Sequence, residues 1–110
     1  MVLVGSLDVA VSGDEVEFTF EVRNDGDDPV EVTFPNACTV DVAVFEDDAE
    51  VWRWSEGRMF AQMIQQETFN LGDGMTETRV WESAPAGDYE AVATLEARGQ
   101  DLEAGATFSV

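Results

Sequence analysis

The chain has 110 residues, of which 24 are acidic and five are arginine, with no lysine and no histidine, leaving a formal net charge of -19. A hydrophobic content of 45% excludes a disordered chain and suffices for one core, so residues 1–110 are expected to form a single domain. Surface acid at this density repels phosphate backbones and anionic lipid, which excludes nucleic acid and membrane as partners.

Met1-Val2-Leu3-Val4-Gly5 lacks the basic region and apolar run of a secretory leader, and no stretch approaches 18 apolar residues. A cytoplasmic protein is expected. Leu7, Val9 and Val11 alternate with Asp8 and Ala10, which predicts a first strand with one buried face. Ser12-Gly13-Asp14 is a turn signal. Val16, Phe18, Phe20 and Val22 then alternate with Glu15, Glu17, Thr19 and Glu21, giving one dry face and one face dominated by carboxylates. Asn24-Asp25-Gly26-Asp27-Asp28-Pro29 reads as a turn; its acids lack the alternate spacing of an EF-hand, so no metal site is expected. Val30, Val32 and Phe34 form a short strand ended by Pro35-Asn36. Cys38 is the only cysteine, which rules out an intramolecular disulfide or a thiolate zinc cluster and leaves a buried small hydrophobe. Val40, Val42 and Val44 make the next strand, and Asp47-Asp48 connects it tightly to Val51–Trp54 as a hairpin.

The stretch Val51-Trp52-Arg53-Trp54-Ser55-Glu56-Gly57-Arg58-Met59-Phe60 holds two of the three tryptophans and two of the five arginines. Its first half alternates, with Trp52 and Trp54 on one face and Val51 and Arg53 on the other. Ser55 and Gly57 break that pattern. Met59, Phe60, Met63 and Ile64 are spaced like one helical turn folding back over the tryptophans. The stretch offers two roles: arginines and apolar side chains packed on Trp52 or Trp54, or an exposed binding surface formed by Trp52, Arg53, Trp54, Ser55, Gly57, Arg58, Met59, Phe60 and Gln62.

Phe69 and Leu71 are expected to end a strand at Gly72-Asp73-Gly74. Thr76, Thr78 and Val80 face one way along the next, and Glu77, Arg79 and Trp81 the other. Ala84-Pro85-Ala86-Gly87-Asp88 is a turn before a strand carrying Tyr89, Ala91, Ala93 and Leu95. Ala106, Phe108 and Val110 close the chain in a final strand. Eight or nine short strands at close spacing predict an all-β, Ig-like antiparallel sandwich with Greek-key-like connections.

The order of these features resembles the intracellular proteinase inhibitor (BsuPI) family. The resemblance runs from about Leu7 to about Leu95. It rests on Val32-Thr33-Phe34, the Asp-containing strand at 40–45, Trp52-Arg53-Trp54-Ser55 with Gly57 and Phe60, Leu71 with Gly74, Trp81, and Pro85, Gly87 and Tyr89. It implies an Ig-like sandwich and a cytoplasmic, non-enzymatic protein that inhibits an intracellular subtilisin-type serine protease. The chain departs from the family's pattern at Asn36-Ala37-Cys38 before Val40-Asp41-Val42, where relatives tend to an aromatic-flanked Asp.

Chemistry agrees with a non-enzyme. Without histidine, neither Ser55 nor Cys38 has a base, and no phosphate loop or nucleophile elbow is present. No cofactor is expected. An inhibitor needs a rigidly held extended loop; the excursion Ser55–Gln66 supplies one, with Met59 or Phe60 for an apolar pocket and Gln62 and Gln65 for hydrogen bonds. The alternative is a non-inhibitory Ig-like interaction domain that accepts a partner's strand along Val2–Val11 or Ala106–Val110. The lysine-free acid excess predicts a halophile's protein, since at molar salt the Debye length falls to about 3 Å and screens the self-repulsion.

Overall fold

Alternation in the sequence becomes alternation in burial. In a computed structural model describing residues 3–100 and 102–110, Val16, Phe18, Phe20 and Val22 are buried while Glu15, Glu17 and Glu21 are exposed. Nine strands form among the described residues: β1 (Leu3–Ser12), β2 (Glu15–Asn24), β3 (Val30–Phe34), β4 (Val40–Glu46), β5 (Ala49–Arg53), β6 (Gln65–Phe69), β7 (Gly74–Trp81), β8 (Asp88–Leu95) and β9 (Glu103–Ser109). Every pairing is antiparallel. One sheet has the order β1-β2-β7, another β5-β4-β8-β9, and β3 pairs with β6. β2 takes β7 as a neighbour and β4 takes β8, so the connections cross over in the Greek-key manner.

The two larger sheets meet through aromatic side chains. Phe18 of β2 stacks on Trp52 of β5 at 5.9 Å between ring centroids, and Trp52 stacks on Trp81 of β7 at 5.5 Å. Trp81 meets Tyr89 edge-on, Tyr89 lies against Phe108 of β9, and Phe108 returns edge-on to Phe18. This closed ring of contacts fixes the spacing of the sheets, and around it pack Val30, Val32, Phe34, Val40, Val42, Val44, Ala91, Ala93 and Leu95. The Tyr89 hydroxyl donates to the Pro85 carbonyl at 2.7 Å, closing the turn into β8. Gly87 lets the chain pass close there: a Cβ would sit 2.8 Å from a Glu46 carboxylate oxygen, which would have to swing aside, and 3.1 Å from the Tyr89 hydroxyl.

The β4–β5 hairpin forms as expected, with Glu46 opposite Ala49 and both Asp47 (φ 50°) and Asp48 (φ 67°) in the left-handed region that a two-residue turn requires. Cys38 is buried, also as expected. Three expectations change. Residues 54–57 form a turn and 58–64 take no regular structure, so the helical turn through Met59–Ile64 is absent: a fourfold apolar spacing without a partner surface does not make a helix. Gln65 and Gln66 belong to β6, opposite Phe34 and Thr33, so the excursion ends at Ile64 rather than Gln66. β6 itself ends at Phe69, leaving Leu71 exposed in the following turn. Of the two edges expected to accept a partner's strand, Val2 lies outside the described residues, and β1 and β9 lie beside one another where the two sheets come together.

Candidate functional site

β5 carries its tryptophans to two destinations. Trp52 stacks within the aromatic core, whereas Trp54, one step past the strand, packs half-buried against the core's margin. Arg79 projects inward from β7, only 11% exposed, and lays its guanidinium 4.1 Å from the Trp54 ring centroid. Its charge is met by Glu77 at 3.1 Å and by the carbonyls of Val40 and Thr78. Arg58 places a second guanidinium 4.5 Å from the same ring, and its Nε donates to the Trp54 carbonyl at 2.7 Å. Phe60 packs on Trp54 at 5.7 Å. Trp54 is thus the point on which the loop rests.

Asp41 anchors the loop's start. Its side chain is buried on β4 and accepts four hydrogen bonds: from the amides of Val42 (2.9 Å) and Ser55 (3.0 Å), from the Ser55 hydroxyl (2.6 Å) and from Arg53 Nη1 (3.0 Å). Arg53 also forks onto Glu50, and hydrogen bonds to Glu50 and then Asp41 hold its guanidinium charged. Below this hub, Cys38 has its pKa raised to about 11 by burial first and then by Asp41 and Glu96, so it is no nucleophile. Glu96 is pushed up by burial and by Asp41.

Beyond Ser55 the chain turns through Gly57 (φ 77°), with the Arg58 amide donating to the Ser55 carbonyl. The far end is tied by the Ala37 amide, which donates to the Ala61 carbonyl at 3.1 Å. Between these ties Met59 is 99% exposed, and past the Ala61 tie Gln62, Met63 and Ile64 are exposed too before β6 begins. Of the side chains expected to cover the tryptophans, Phe60 does so and Met59 and Met63 do not. The candidate residues therefore divide. Arg53, Trp54, Ser55, Arg58 and Phe60 hold the loop, Trp52 belongs to the core, and Gly57, Met59 and Gln62 face solvent. Asp41 and Arg79 were missed by sequence reasoning. Asp41 is one of 24 acids, and beyond its place in the Asp-containing strand of the resemblance its signal was a carboxylate second in a largely apolar strand.

A family model described as BsuPI, intracellular proteinase inhibitor, matches residues 3–100. The chain belongs to the BsuPI family. Its description makes the family one of inhibitors rather than enzymes, and makes a protease the partner in general. A search of curated proteins found no match. Among solved structures, a beta-glucosidase from Kluyveromyces marxianus is similar at 16% identity, with TM-scores of 0.57 and, in its complex with glucose, 0.56. Each comparison covers 99% of this BsuPI chain but only 14% of the glucosidase chain, and at that identity it shows the fold alone. Spo0M, a sporulation control protein from Bacillus subtilis, aligns with 97% of this chain and 48% of its own at 14% identity and a TM-score of 0.49. No helix among the described residues is long and apolar enough to cross a membrane.

Proposed function

We propose that this BsuPI chain, acting as one domain and without catalysis of its own, inhibits a cytoplasmic subtilisin-type serine protease through the loop Ser55–Ile64. The observation that carries the reading is the contrast within that loop: both ends are tied to the sandwich, yet Met59 at its crest is 99% exposed. A protease cleft binds an extended segment through main-chain hydrogen bonds and one side-chain pocket. Among the described residues, no backbone hydrogen bond outside the strands engages the amides of Met59, Phe60 or Gln62, which leaves them free for a cleft. Because the scaffold already orders the segment, little further entropy is lost on binding.

The test is a titration against a salt-tolerant subtilisin-type protease in several-molar salt, read with a small chromogenic substrate. A small substrate matters because a protein substrate would let the domain compete merely as another cleavable chain. Saturable, stoichiometric inhibition is the expected result. Absence of inhibition, or inhibition that disappears as the domain is digested, overturns the reading and leaves the interaction-domain alternative.

A further inference from the structure

The two residues that flank Met59 are held by the same side chain. Arg58 stacks its guanidinium on Trp54, and Phe60 packs its ring on Trp54, while Met59 between them points into solvent. Met59 thus stands outward between two neighbours that both rest on Trp54, Arg58 from an exposed position and Phe60 half-buried. We propose that Met59–Phe60 is the reactive peptide bond of the inhibitor, that Met59 fills the protease's primary pocket, and that Trp54 keeps the two sides of that bond together if it is cut. This rests on the inhibitory reading above and goes on to name its bond, its pocket and its device.

The chemistry follows from the clamp. The protease serine hydroxyl attacks the Met59 carbonyl carbon and gives its proton to the protease's own histidine. The tetrahedral intermediate collapses, the C–N bond to Phe60 breaks, and the same proton passes to the departing Phe60 nitrogen, leaving an acyl-enzyme at Met59. In an ordinary substrate that amine diffuses away and water replaces it. Here Phe60 stays on Trp54 and the next carbonyl, Ala61, stays bonded to the Ala37 amide at 3.1 Å. The amine is therefore held at high effective concentration and re-forms the peptide bond in competition with water. Cleavage becomes reversible, and the complex persists. Met59 also sets the partner's chemistry: an unbranched apolar side chain fits a deep, uncharged pocket.

The experiment has two arms on the intact chain, both in several-molar salt with the small-substrate assay and mass spectrometry of the mixture. Met59→Asp, at a fully exposed position, should leave the melting temperature unchanged and weaken inhibition by about a hundredfold or more, the scale of a lost central anchor. Met59→Leu should retain inhibition. In the second arm, wild type incubated with catalytic amounts of protease should reach a plateau of partial cleavage at Met59–Phe60. Phe60→Ala, with Trp54→Ala beside it, should be cleaved to completion with loss of inhibition; melting curves confirm that the fold survives. If wild type never inhibits, the functional reading itself fails. If wild type inhibits but Met59→Asp inhibits equally, or cleavage maps to another bond, the inhibitor stands and this bond assignment falls. If Phe60→Ala reaches the same plateau as wild type, the clamp is refuted.

Discussion

Asp41 shows how one carboxylate can organise a site it never exposes. It lies on β4, where one of its four hydrogen bonds holds the neighbouring Val42 amide, and it spends the other three on the approach to the loop, the Ser55 amide, the Ser55 hydroxyl and Arg53. Asp41→Ala should destabilise the fold by about 3 kcal/mol, because the buried Val42 amide and the half-buried Ser55 amide lose their acceptor while Arg53 keeps Glu50 and rehydrates. Chemical denaturation in several-molar salt measures this, and a loss under 1 kcal/mol (about the value of one ordinary hydrogen bond) would remove Asp41 from its role as hub. Glu96 makes the opposite contribution. Burial, then Asp41, raises its pKa above the ordinary carboxylate value, with Arg53 opposing. The folded state therefore binds that proton more tightly than the unfolded state. The stabilisation is complete below the ordinary glutamate pKa and is lost as pH rises through the raised value. Glu96→Gln should accordingly raise the melting temperature at neutral pH, with the gain shrinking on acidification. A gain that is the same at neutral and acid pH would contradict the assignment.

At the scale of elements, the β4–β5 hairpin carries a fault that can be mended. Both turn residues hold positive φ, a conformation that costs an L-residue about 1 kcal/mol and glycine almost nothing. Asp48→Gly should stabilise the chain by about that amount, with some offset from the flexibility glycine adds to the unfolded state. A fall in stability would mean that the Asp48 carboxylate does more than turn the chain. The strands themselves were legible where apolar and polar residues alternate against one core, as in β2, whose buried and exposed residues fall where Val16–Val22 and its glutamates place them. β6 was legible only at its end, because its five residues bury Phe69 alone and its pairing with β3 supplies the rest. The loop's start was legible from Ser55 and Gly57, but its internal arrangement was not. Sequence spacing places Met59 and Phe60 side by side without saying which turns inward; the answer depends on Trp54 and Arg79, the latter arriving from a strand 25 residues later. Long-range packing of that kind leaves no local pattern to read.

The whole molecule is governed by its charge. Among the described residues, four ion-pair contacts involve only three arginines, while 24 acids crowd the chain. The shortest extent of the molecule is 23 Å. In very dilute buffer the Debye length, about 30 Å at 0.01 M, exceeds that extent, so carboxylates on opposite faces repel one another. At molar salt it falls to about 3 Å, and only directly adjacent charges interact. The melting temperature should therefore climb steeply between dilute buffer and several-molar salt. Replacing Glu15, Glu17 and Glu21 on the outer face of β2 with glutamine should raise the low-salt value and flatten the climb. An unchanged melting temperature across that range would refute the halophilic reading of the composition. The same field acts on association. If the proposed protease shares a saline compartment with this chain, it would carry acid too, and the two surfaces would repel at long range while the proposed Met59 contact acted only at short range. The association rate should then rise with salt, by about tenfold or more between dilute buffer and 1 M, the reverse of complexes steered together by opposite charge. Stopped-flow measurement of the inhibition rate across that series reads this directly. A rate that falls with salt would show that the partner presents a basic face to this acidic domain.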